Sequence, residues 1–251
     1  MELINAIINW SLFITSVNEA VMTQIELEFA MEFAISAGAY MLARREDAIS
    51  SEKLDRTVVT DVDKAINSWF IEAIKHRFGE QVSVIGEEAS ARIMNSTTTW
   101  VIDPVDGTGE YIDTRVVDSQ RTSCVGIAMV AENILHLSVV FNPFRHELFV
   151  ASRSLGGTFL NGTRLTPEDN QFAQQSGIQD IAYDYCYWDG ARIDARILEA
   201  ITGRLPLGSY SAINQACDVA RGKSAFAISR RHHSRHCTEC TSGRTSRRNC
   251  F

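Results

Sequence analysis

Residues 100–112 read WVIDPVDGTGEYI, and residues 82–88, a short way upstream, read VSVIGEE. Each opens as a short apolar run, Thr99 to Ile102 in one and Val82 to Ile85 in the other. A run of that length bounded by turn formers fits a buried strand. Each then turns acidic, at Asp103 and Asp106 in the first and at Glu87 and Glu88 in the second. If the two strands are neighbours, four carboxylates converge at one edge of a sheet. Carboxylates packed together repel one another and hold raised pKa values. A hard divalent cation resolves that conflict, and magnesium prefers oxygen ligands while sharing its shell with water and phosphate. Gly107 and Thr108 add a second use, because backbone N–H groups at a glycine turn approach an anion closely and a helix N-terminus favours it.

Each cluster alone has a plainer reading. Asp-Pro and Asp-Gly steps form turns, and an adjacent Glu-Glu pair is commonly a solvated surface feature. The two clusters at two strand ends, with VVTDVD at 58–63 upstream, argue for a site.

The rest of the chain gives the frame. From Ile25 to about Arg45 the pattern is helical, with Ile25, Phe29, Phe33, Ala37 and Met41 on one line. Residues 46–60 read as a loop with a strand or hairpin at RTVVT. A second helix is expected from Asp63 to Phe78, with Ile66, Phe70, Ala73 and Ile74 inward and Gly79 closing it. Three β-rich runs follow at 124–131, 134–141 and 147–151, and their short links favour an antiparallel meander. TFLNGTRL at 158–165 carries Asn-Gly between β-prone residues, a hairpin signal. Residues 190–228 read as mostly helical with one β segment near Gly208. Helices, then strands, then helices imply an α+β fold.

Composition narrows the classes. The formal net charge of −7 argues against a nucleic-acid partner, which usually meets a basic face. The N-terminal MELINAIINWSLFITSV lacks a basic n-region and is too short an apolar run to span a bilayer, so residues 1–21 read as an extension and no membrane association is expected. Cys124, Cys186 and Cys217 are widely spaced, as reduced core thiols of a cytoplasmic protein are. Residues 229–251 differ in kind. They hold six arginines against one acidic residue, Glu239, together with Cys237, Cys240 and Cys250.

The sequence resembles the inositol monophosphatase family of magnesium-dependent, lithium-sensitive phosphatases over residues 22–228. VVTDVD at 58–63 resembles the family's V-T-x-x-D, IGEE at 85–88 its G-E-E strand end, and WVIDPVDGTGEYI its W-x-x-D-P-[IL]-D-G-T-x-x-[FY], with Val105 in place of Ile or Leu. The meander, FLNGTRL and GSYSAINQACDVARG follow in family order. The resemblance implies a layered αβαβα sandwich and a Mg2+ cofactor. Glu87, Asp103 and the Val105 carbonyl would hold a first metal, and Asp103 and Asp106 a second. Asp63 and Thr108 would orient the attacking water, the backbone of Gly107 and Thr108 would receive the phosphate beside Asp106, and Glu88 would support the site. The implied substrate is a small phosphorylated metabolite, inositol monophosphate first. Phosphoadenosine phosphate, histidinol phosphate and fructose bisphosphate share the signature, and a homodimer is a family habit.

One family motif, W-D-x-A-A-G, has no counterpart. Cys217-Asp218-Val219-Ala220-Arg221-Gly222 resembles it, but Val219-Ala220-Arg221-Gly222 fits an earlier helix of the family, so Asp218 is not expected to be the missing metal ligand. Where W-D should stand the chain reads SRRHHSRHCTECTSGRTSRRNCF, which resembles translation in a wrong reading frame. Two other readings are a zinc site from His232, His233, His236, Cys237 and Cys240 and a basic anion-binding tail. A chain truncated here would lack one carboxylate of its second metal site and expose apolar sheet surface, and a truncated, inactive family member is the alternative function.

Overall fold

The computed structural model describes residues 21–54, 57–94, 96–166, 181–184, 199, 207–223 and 226–228. The N-terminal extension up to residue 20, Cys186 and the whole 229–251 segment with its candidate zinc ligands lie outside the described residues.

Helix α1 (Val21–Arg44) buries Leu27, Ala30, Met31, Ala34, Ala37 and Met41. The expected Phe29 and Phe33 line is displaced to the edge of this stripe, because both rings turn sideways into an aromatic cluster. Phe29 meets Phe78 at 5.2 Å and Trp100 at 5.6 Å, and Phe33 meets Phe70 at 4.9 Å. Strands β1 (Ser50–Glu52) and β2 (Val58–Thr60) form the antiparallel hairpin anticipated near RTVVT. Helix α2 (Asp61–Phe78) starts two residues before the expected Asp63. Thr60 is its N-cap and Asp63 its N3 residue, and they close a capping box by exchanging side-chain and backbone hydrogen bonds. An aspartate in that reciprocal role belongs inside the first turn, which moves the helix start upstream.

Strands β3 (Ser83–Gly86) and β4 (Thr98–Asp106) are parallel neighbours, as the acidic-edge argument required. β4 does not stop at Ile102 but runs on to Asp106, so both aspartates lie within it. Its ladder with β5 (Cys124–Ala131) shifts register between Asp103 and Asp106. Pro104 sits in that irregularity, where its missing N–H breaks no regular ladder bond. The meander continues through β6 (Ile134–Asn142), β7 (Glu147–Ser152), β8 (Gly157–Leu160) and β9 (Thr163–Arg164), each antiparallel to the last. The β8–β9 turn is Asn161-Gly162 with both φ angles positive, as the Asn-Gly signal requires. The seven strands β3 to β9 stand in sequence order in one sheet.

Alternation along the sheet separates two cores. Val125, Val139, Phe141, Leu148 and Val150 point into the large cluster shared with α1 and α2. Their neighbours Cys124, Val140 and Phe149 point to the opposite face and meet Cys217 and Ile213. Those two belong to a further helix, Ala212–Ala220, which follows two short strands. With β10 (Ile181–Asp184), β11 (Leu207–Ser209), this helix α4 and β12 (Phe226–Ile228), the chain builds a second, parallel three-stranded sheet in the order β11-β10-β12. The expectation of one β segment in 190–228 therefore needs correction. The Phe226–Ile228 run is too short to show a period, and only pairing with β10 marks it as a strand. Helix pair, sheet, helix and second sheet form successive layers of the expected αβαβα sandwich.

Candidate active site

The site is assembled where β3 and β4 end under the first turn of α2. Asp63 is fully buried. Its Oδ2 accepts hydrogen bonds from the Thr60 backbone N–H at 2.9 Å and from the Thr60 hydroxyl, and its Oδ1 accepts one from Thr108 Oγ1 at 3.0 Å. Burial pushes the Asp63 carboxyl up from its ordinary 3.8 to about 6, against the pull of the Thr60 and Thr108 hydrogen bonds and with help from the Glu88 charge. Thr108 Oγ1 also lies 2.8 Å from the Val105 carbonyl. A hydroxyl has one proton, so it donates to one of these oxygens at a time and keeps lone pairs for a third group.

Asp103 is the most strained carboxylate. Its Oδ1 is buried without a hydrogen-bond partner. Burial raises its pKa well above the ordinary range, and the charges of Asp106, Glu87 and Asp63 raise it further. Asp106 is better placed, since its Oδ2 accepts from Ser211 Oγ at 2.6 Å and from the Ile213 N–H at 2.7 Å. Both donors belong to the N-terminus of α4, where Ser211 is the N-cap and partial positive charge favours a carboxylate.

Gly107 turns the chain from β4 into a short helix α3 (Thr108–Ile112), with φ at 84°. A Cβ there would stand 3.2 Å from the Tyr210 carbonyl and 3.3 Å from Ser211 Cβ. The loop after α3 is pinned by Arg121, which is almost fully buried and donates to the carbonyls of Tyr111, Asp113 and Val116 and to Asp118.

Glu87 and Glu88 follow β3. Asn67 of α2 fixes their loop by accepting from the Glu88 N–H at 3.3 Å and donating to the Ala89 carbonyl at 3.0 Å. Lys53, beyond β1, reaches across to both, with Nζ 2.9 Å from Glu87 Oε1 and 2.6 Å from Glu88 Oε1. Although burial opposes the charged ammonium, the hydrogen bonds to Glu88 and Glu87 raise the lysine pKa.

The sequence reading named Asp63, Glu87, Glu88, Asp103, Val105, Asp106, Gly107 and Thr108, and the fold brings all of them to this edge. It omitted Lys53, Asn67, Arg121, Ser211 and Ile213. Among the described residues no three His, Cys, Asp or Glu side chains are already gathered as a ready metal cage. Glu87 is turned to Lys53, and Asp106 to Ser211 and Ile213. The donor set nonetheless suits a hard cation: carboxylate and carbonyl oxygens around a buried Asp103 oxygen that no protein donor reaches. Asp218 takes no part. It accepts from Arg221 Nε at 2.9 Å and lies 3.6 Å from Lys223 Nζ, while Arg221 also binds Glu147.

An acidic edge beside a glycine turn, in a layered α+β sandwich, has oxygen donors that suit a cation and a backbone turn that suits an anion. The chain belongs to the inositol monophosphatase family, whose model matches residues 23–238. It is 34% identical to an inositol-1-monophosphatase of Synechocystis over 137 residues, 54% of this chain and 46% of that one. It is 33% identical to the Nus factor SuhB of Haemophilus influenzae over 153 residues, 60% of this chain and 55% of that one. The chain thus spans about half the length of these curated relatives. Among solved structures, an IMPase of Thermotoga maritima superposes with a TM-score of 0.64 at 22% identity, covering 79% of this chain and 74% of that one. An IMPase/NADP phosphatase complexed with Mg2+ and phosphate gives 0.62 at 21% identity, covering 81% of this chain and 74% of that one. Among the described residues no helix is long and apolar enough to cross a membrane.

Proposed function

We propose that this chain is a magnesium-dependent phosphatase that hydrolyses a small phosphate monoester, with inositol monophosphate as the first candidate substrate. The observation that carries this reading is the buried Asp103 oxygen without a protein partner, set among Asp106, Glu87 and Asp63 beside the Gly107 turn. Glu87, Asp103 and the Val105 carbonyl would hold one Mg2+, and Asp103 and Asp106 a second. Bound there, Mg2+ lowers the pKa of a water and neutralises charge on a phosphoryl group.

The remaining work falls to the protein. Thr108 Oγ1, with its proton given to Asp63 Oδ1 or Val105 O, accepts a hydrogen bond from a water and fixes its direction. A proton leaving that water passes through the hydroxyl to Asp63, whose carboxyl near 6 suits a base working at neutral pH. The backbone of Gly107 and Thr108, at the turn from β4 into α3, would receive the phosphate beside Asp106. Glu88 supports the site by fixing the loop after β3, where its N–H donates to Asn67 Oδ1 at 3.3 Å. The buried free thiols of Cys124 and Cys217 suit a reducing, cytoplasmic setting.

The test is phosphate release from inositol monophosphate, phosphoadenosine phosphate, histidinol phosphate and fructose bisphosphate, each with Mg2+ and with EDTA. Release that needs Mg2+ and favours inositol monophosphate is expected. No release from any of the four by folded protein would refute the enzyme reading, and a different preferred ester would refute the substrate.

A further inference from the structure

Lys53 stands on the one acidic group of the proposed site that faces solvent. Its Nζ lies 2.9 Å from Glu87 Oε1 and 2.6 Å from Glu88 Oε1, so two of its three protons bridge the pair. Glu87 has a side-chain exposure of 44% and Glu88 of 10%. The two anchors are therefore unequal: Glu88 is held inside and Glu87 is free to take another partner.

The strand that leads to the lysine, β1, is lightly attached, whereas its hairpin partner β2 buries Val59 and Thr60. Ser50, Ser51 and Glu52 are all exposed, and Leu54, next to Lys53, is fully exposed. Its base is tied to the start of α2 by the Asp61 N–H to the Ile49 carbonyl at 3.0 Å and the Ile49 N–H to Asp61 Oδ1 at 2.9 Å. Few buried apolar contacts and exposed backbone hydrogen bonds mark a segment that moves at little cost.

We propose that Lys53 is a tethered counterion that competes with the divalent cation for Glu87, so that cation entry drives the ammonium off Glu87 and onto Glu88 alone. This rests on the reading of Glu87 as a cation ligand given above. Two cations on one carboxylate lie a few ångströms apart and repel, whereas Glu88 can keep the ammonium without sharing it. The lysine then compensates the acidic edge until a cation arrives and sets a threshold that the cation must exceed. Competition has a definite sign: removing the lysine strengthens cation binding. A lysine that helped to build the cation site would, when removed, weaken it.

The experiment titrates MgCl2 into EDTA-stripped wild type, Lys53→Met and Lys53→Arg by isothermal titration calorimetry, and records each thermal midpoint in EDTA. Lys53→Met is expected to bind Mg2+ about fivefold more tightly, the scale of one partly exposed ion pair, and to melt lower than wild type in EDTA. Lys53→Arg keeps the charge and is expected to stay near wild type in both. Unchanged or weaker Mg2+ binding by Lys53→Met, with wild type binding normally, overturns the proposal and leaves the site reading intact. Wild type that binds no Mg2+ overturns the site reading itself.

Discussion

The Asp63 carboxyl makes the stability of the metal-free protein depend on pH in an unusual direction. Its pKa stands at about 6 in the folded chain against an ordinary 3.8. A raised carboxyl pKa means that the folded state holds the proton more tightly than the unfolded state. The resulting penalty is absent below 3.8, grows as pH rises, and is complete above about 6. At about 1.4 kcal/mol for each pH unit, the full penalty is roughly 3 kcal/mol, and acidifying from about pH 7.5 to about pH 5 recovers roughly half of it. Asp103 shifts in the same direction, so the contribution of Asp63 must be isolated by difference. Asp63→Asn does this with little disturbance. The amide oxygen can still accept from the Thr60 N–H, and the amide NH2 can donate to Thr108 Oγ1, which then gives its own proton to the Val105 carbonyl. Equilibrium urea unfolding in EDTA, for both proteins at the two pH values, measures the effect. Asp63→Asn should be more stable than wild type near pH 7.5, and the gap should shrink by roughly 1.5 kcal/mol near pH 5. A gap that does not change with pH would show that Asp63 ionises as a solvated carboxyl and would remove it as the base.

Two further outcomes follow from the same geometry. Asp103→Asn should raise the melting point of the metal-free protein, by about 1–2 kcal/mol of stability, because it relieves a buried charge among carboxylates; the same variant should lose both Mg2+-induced stabilisation and Mg2+-dependent phosphate release, as thermal melts and a release assay will read. Gly107→Ala places a Cβ 3.2 Å from the Tyr210 carbonyl at a φ of 84°. It should cost about 1–3 kcal/mol in urea unfolding and reduce phosphate release more than tenfold at saturating Mg2+.

The strands of the large sheet are legible in the sequence because each is long enough to show its period or is bounded by turn residues. Asn161-Gly162 fixes a turn by local backbone chemistry alone. The start of α2 is not legible because Asp63 reads equally well as a first residue and as the third residue of a capping box; only the Thr60 hydroxyl decides between them. The end of β4 is hidden because Asp103 and Pro104 are turn formers by composition, while pairing of Asp103 and Asp106 with β5 carries the strand on to Asp106. The carboxylates were legible because they cluster within short stretches of chain. Their partners were not. Lys53 lies 34 residues from Glu87, and Ser211 lies 105 residues from Asp106. A single lysine in a polar loop and a single serine before a helix carry no local mark of what they will meet.

Those distant partners explain the division of labour among the carboxylates. Asp106 is compensated from within, by a hydroxyl and a backbone N–H at the head of α4, which fix its orientation. Glu87 and Glu88 share one ammonium. Asp103 has neither arrangement, and its buried oxygen meets no donor. Only a proton or a cation can compensate it, and its neighbours' charges favour both. A fold that satisfied Asp103 with an arginine would be more stable without metal and would hold a permanent charge where the proposed cation would sit. In the proposed site the unsatisfied oxygen would tie cation binding to the stability of the β4 end, since a cation that binds only the folded chain stabilises it in proportion to the logarithm of its concentration above Kd. On this argument the thermal midpoint should rise with Mg2+ concentration in wild type and be flat in Asp103→Asn, so that one titration reads both the site and its cost to the fold.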